Sequence, residues 1–143
     1  MINNITEFHE SVGKILMECQ CIEHDIKLIY AGMLNGDFDE NYNVVAEQPL
    51  GPVLKKLESL DNSDGNPYLS GQDYELLDDI RDIRNHWAHK AYTMFVYKRG
   101  QEYNDAFTRQ ARRLDNDLNR ITKLSGSIER VRLSVLRKYN RID

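Results

Sequence analysis

Apolar residues recur at Ile5, Phe8, Val12, Ile15, Cys19, Ile22, Ile26, Ile29 and Met33. Steps of three and four sustained over about four heptads gather those side chains on one helical seam, the pattern of a bundle or coiled coil. The spacing predicts a first helix over residues 4 to 35, opened by Asn4 with Glu7 in a capping-box arrangement and closed by Asn35-Gly36. At about 1.5 Å per residue it is far longer than a small globule's usual helix. Such a helix needs partners of similar length.

The rest of the chain supplies them. Residues 37 to 49, acidic at Asp37, Asp39 and Glu40, read as loop. Pro52 starts a short second helix, to about Leu60, with Val53, Leu54, Leu57 and Leu60 on one side. The turn cluster from Asp61 to Pro67 has a calcium-loop flavour, but Gly65 sits where a ligand belongs and the closing Glu is missing. Ser70, with Asp73 three residues on, caps a third helix that Lys98-Arg99-Gly100 ends. A fourth runs from about Asn104 to Lys138 on the stripe Phe107, Ala111, Leu114, Leu118, Ile121, Leu124, Ile128, Val131 and Val135, with a kink or break expected at Ser125-Gly126-Ser127. Strand signals, repeats and linkers are nearly absent. The expectation is all-α: one domain over residues 1–143, an up-and-down four-helix bundle with long helices, the last of them kinked or broken.

Composition narrows the setting. With 41% hydrophobic and 29% charged residues the chain reads as soluble and globular. No stretch approaches a membrane span, and Met1-Ile2-Asn3-Asn4 lacks the basic start of a signal peptide. A cytoplasmic protein is expected. On a helix Cys19 and Cys21 point about 200° apart, so they neither bridge nor share a metal. Cys19 lies on the seam as a small core residue and Cys21 faces out. Charge divides sharply: residues 109–143 hold ten Lys and Arg against four acidic residues, a net of +6 that leaves −10 on the first 108. A basic arm of this kind contacts phosphates or pairs with the acidic part of its own chain.

One stretch looks chemical: Ile83-Arg84-Asn85-His86-Trp87-Ala88-His89-Lys90-Ala91-Tyr92. On a wheel of about 100° per residue, Ile80, Ile83, Trp87, Ala91, Met94, Leu76, Leu77 and Phe95 share a sector, and Arg84 falls inside it. A guanidinium on the core side needs partners, and Glu18, Glu23 and Asp25 beside the first seam are candidates. Asn85, His89 and Tyr92 line one shoulder of the predicted third helix, with Asn85 and His89 four residues apart and able to touch. His86 and Lys90 lie on an exposed shoulder. His86 reads first as an ordinary surface histidine and second as a rim contact.

Arg84-Asn85, three residues, then His89 resembles the Arg-x4–6-His signature of HEPN domains, small all-α proteins many of which are metal-independent ribonucleases. A polar residue, often Asn, follows the Arg in that family, as Asn85 does here. Arg81 and His86, with Asp82, satisfy the spacing too, but Arg84 lies on the buried face. The Tyr that the family's toxins carry two residues after the His has no match, because Tyr92 stands three residues after His89. The resemblance implies two chains paired through their motif helices, both Arg-His sets in one cleft, cleavage without metal, and a cyclic phosphate product. It implies a toxin or phage-defence effector restrained by an antitoxin or regulatory partner, or else a non-catalytic helical module that binds a partner or nucleotide.

The residues suit that chemistry. Attack by an RNA 2′-hydroxyl needs a base, an acid and positive charge at phosphorus. His89 carries an imidazole suited to proton transfer near neutral pH. Arg84 supplies a fork of donors for phosphate oxygens, and Asn85 fixes the imidazole or bonds the phosphate. His86, Lys90 and Tyr92 are the expected substrate contacts. His9-Glu10 has no zincin partner, and no P-loop, glycine-rich dinucleotide turn or Gly-x-Ser-x-Gly elbow occurs. No metal or cofactor is expected; RNA and a second copy of the chain are.

Overall fold

A computed structural model describes residues 1–142; Asp143, counted in the charge of the basic arm, lies outside them. The described residues form five helices and no strand: α1 (Ile5–Met33), α2 (Phe38–Ala46), α3 (Leu50–Asp61), α4 (Gly71–His89) and α5 (Gly100–Lys138). The chain is all-α, as its periodicity requires. None of these helices is long and apolar enough to cross a membrane.

Three expectations need correction. Most of the segment 37 to 49 is helix and not loop: α2 takes up Phe38–Ala46, and Asp37 caps it by accepting the Glu40 amide at 2.9 Å. The third long helix stops at His89 instead of running to Lys98, and residues 90–97 continue as consecutive turns. The last helix starts earlier, at Gly100, and runs unbroken through Ser125-Gly126-Ser127 for 39 residues. The caps expected at Asn4 and Ser70 do form. The Asn4 side chain accepts the Glu7 amide at 2.8 Å, and Ser70 and Asp73 bond reciprocally at 3.1 and 3.2 Å. Gly36, past the end of α1, takes the left-handed φ of 97° that glycine tolerates best.

The residues gather into two compact units. The first comprises Met1–Cys19 and Ile80–Lys123, the second Gln20–Asp79 and the described residues from Leu124 on. In the first, Phe8 is fully buried among aromatic rings, with centroids 5.5 Å from Tyr92, 5.2 Å from Phe95, 5.6 Å from Phe107 and 6.2 Å from Trp87. Ile15, Ile80, Leu114 and Ile121 complete this core. Met94, expected on the same stripe, is exposed because the helix has already ended.

In the second unit Ile22, Ile26, Ile29, Val53, Leu57, Leu77 and Ile128 are buried. Buried Asp61 accepts the amides of Tyr68 and Leu69 and the Tyr74 hydroxyl at 2.7 Å, tying the turn after α3 to the start of α4. Burial, then that carboxylate, pushes the Tyr74 phenol well up. Arg141 donates to the carbonyls of Gly32, Leu34 and Gly36, satisfying the end of α1. Asp25, one of the carboxylates expected beside Arg84, is held by Arg132 at 2.8 Å. Cys19, on the seam, is buried and Cys21, off it, is exposed.

Candidate functional site

The first unit contains a recess of about 430 Å³ lined by Asp82, Asn85, His86, His89, Lys90 and Arg113. Counted from Asp82, its first five residues fall at positions 0, 3, 4, 7 and 8, which is one face of a helix. Lys90 follows the last helical residue, but its amide still bonds the His86 carbonyl at 2.8 Å, so the face continues through it. Arg113 comes from α5. Four of the six expected site residues, Asn85, His86, His89 and Lys90, therefore meet in one place.

The other two do not. Arg84 lies about 200° around α4 from Asp82, on the side away from the recess. It is half-buried and engaged in an interaction of its own. Tyr92 lies beyond the end of α4, so the expectation that it shares a shoulder with Asn85 and His89 is overturned. Its hydroxyl pairs with His9 Nδ1 at 2.7 Å and its ring packs on Phe8. Burial raises the Tyr92 phenol above its ordinary value.

His86 is held more firmly than an ordinary surface histidine. Its ring sits edge-on against Trp87, with centroids 4.6 Å apart, and its Nε2 lies 2.9 Å from Gln110 Nε2. With the amide nitrogen as donor, Nε2 accepts and the neutral ring carries its proton on Nδ1. Burial and the nearby Arg113 guanidinium hold His86 below the usual histidine value; Lys90 adds to this and Asp117 opposes it. His89, at the C-terminus of α4, is exposed. The recess thus pairs a fixed, neutral imidazole with a solvent-facing one.

Behind the recess Trp87 and Asp117 are buried and bonded to each other. Trp87 Nε1 donates to Asp117 at 2.9 Å, and Asp117 lies 3.9 Å from Arg113 and 3.8 Å from Arg120. Arg113 also stands over the Trp87 ring, 5.9 Å from its centroid. Gln110, Arg113 and Asp117 were missed in the sequence. Their spacing of three and four was visible on α5, but nothing local says that this face meets α4.

No family model, curated protein or solved structure matches this chain. The site stands on its own geometry.

Proposed function

We propose that this chain is a metal-independent endoribonuclease of the HEPN type, acting on RNA as a homodimer in a toxin or phage-defence role under an antitoxin or regulatory partner. The observation that carries the reading is the recess in which Asn85, His86, His89 and Lys90 meet Arg113. A phosphodiester seated there faces two cations, an amide and two imidazoles, against the single carboxylate of Asp82. The 2′-hydroxyl attacks phosphorus while a base takes its proton. The 5′-oxygen leaves with a proton from an acid, giving a 2′,3′-cyclic phosphate and a 5′-hydroxyl. Arg113 and Lys90 stabilise the charge that develops on the phosphoryl oxygens.

His86 is committed to Gln110 through Nε2, so His89 is the imidazole placed for proton transfer. Two such transfers are needed, and His89 performs both, taking the 2′-hydroxyl proton and returning it to the 5′-oxygen, while a second copy brings its Arg84 to the cleft. The up-and-down bundle remains the architecture this reading assumes, with α2 an addition to it.

A second reading has its own support. Arg84, the motif's cation, lies off the recess and is already engaged, which suits a non-catalytic HEPN-like module that binds a partner or nucleotide. One experiment separates them: purified protein is incubated with RNA in EDTA beside His89→Ala and Arg113→Gln. The expected result is cleavage by the wild type, loss with His89→Ala, a large reduction with Arg113→Gln, and little change with chelator. A wild type inert at every pH between about 6 and 8 leaves the binding module.

A further inference from the structure

Beside the recess, α5 carries a shallow hollow of about 750 Å³, open to solvent and lined by Arg109, Arg112, Arg113, Asn116, Asn119 and Arg120. Arg113 lines both hollows. Arg109, Arg112, Arg113 and Arg120 sit at positions 0, 3, 4 and 11, which places them along one side of the helix over about 16 Å. All four are exposed. Asp117, the carboxylate in this lining, already accepts the Trp87 N–H and lies near Arg113 and Arg120, so the surface keeps a positive excess.

We infer that this arginine face is a track for the sugar-phosphate backbone of single-stranded RNA, leading to the recess through Arg113. The inference rests on the recess handling a phosphodiester, and it adds where the strand lies on either side of it. Guanidinium forks match phosphate oxygens, and Asn116 and Asn119 add neutral donors and acceptors between them. No aromatic side chain lines the concavity, so it offers no platform for base stacking. It therefore holds strands by charge and without regard to sequence.

The test is fluorescence anisotropy with a 2′-O-methyl RNA oligomer, which has no free 2′-hydroxyl to attack and so reports binding apart from cleavage. Against log salt, log affinity of the wild type falls with a slope between about −2 and −3, since each phosphate neutralised on a single strand contributes roughly −0.7. Arg109→Gln, Arg112→Gln and Arg120→Gln each flatten the slope by about 0.7 and weaken oligomers of every sequence alike, with helical circular dichroism unchanged. Lys55→Gln and Lys56→Gln, exposed on α3, leave the slope as it is.

A wild-type slope shallower than about −1, or a triple arginine variant with the wild-type slope, overturns the inference. Tighter binding of poly-glutamate than of RNA also overturns it and makes the face a site for acidic protein. The two proposals fail separately. Steep binding by wild type and His89→Ala, with no cleavage by either, removes the nuclease and keeps the track. Cleavage with an unaltered slope in the triple variant removes the track and keeps the nuclease.

Discussion

His86 is neutral for a structural reason that can be measured. Protonating Nε2 removes the acceptor that Gln110 uses, and it places a cation in a half-buried site beside Arg113. Its folded-state value is therefore below that of the unfolded chain, so the native state binds fewer protons. The stabilising effect is complete above about pH 6.5 and is lost as pH falls through the folded value. His86→Gln should flatten the decline in unfolding midpoint between about pH 7 and 5. In proton NMR the His86 ring should titrate below about 6.5 and move upward in Arg113→Gln; a midpoint above the unfolded value would refute the assignment. Trp87, the one tryptophan of the chain, reports on the group behind it. Asp117→Leu leaves its buried N–H unpaired and should cost about 1 to 3 kcal/mol in denaturant unfolding, with altered fluorescence, whereas Asp117→Asn keeps an acceptor and costs less.

At the level of the helices, α5 offers the cleanest test, because it passes without a break through a Ser-Gly-Ser run that argues for one. Gly126 has no left-handed φ, and a Cβ built there meets only the end of Arg130 at 3.7 Å. Gly126→Ala should therefore stabilise the protein by about 1 kcal/mol, seen as a higher denaturant midpoint at constant slope. A destabilised variant would mean that the helix needs flexibility at that point. The same helix shows what a sequence can and cannot tell. The seam of α1 was legible because nine apolar positions share one period, and its caps were legible because their residues are local. The α2 helix carried a local signal as well, Asp37 with Glu40 three residues on, hidden by a short and polar sequence. The end of α4 had no such signal: Ala91 and Phe95 keep helical spacing, yet Tyr92 and Phe95 turn aside to pack on Phe8 some eighty residues earlier. Gln110 and Arg113 were illegible for a related reason, since the register between α4 and α5 is set by packing and not by either helix alone.

For the whole molecule the question is whether one chain is enough. Arg84 and His89 are five residues apart on one helix, about 140° around it, so no rotation of α4 brings both into one recess. If the reaction uses both, the guanidinium must come from a second copy, as a two-fold pairing through α4 allows. Arg84→Gln and His89→Ala should then each be inactive alone, while a mixture refolded or co-expressed together regains activity. A mixed dimer pairs the intact Arg84 of one chain with the intact His89 of the other and holds one complete site of two. Random mixing makes half the dimers mixed, so RNA cleavage should return to about a quarter of the wild-type rate. Cleavage that stays absent, from mixtures that are dimeric and fully helical, would show that Arg84 serves its own chain. The cation at phosphorus would then be Arg113, and an isolated recess would be the whole of the catalytic apparatus.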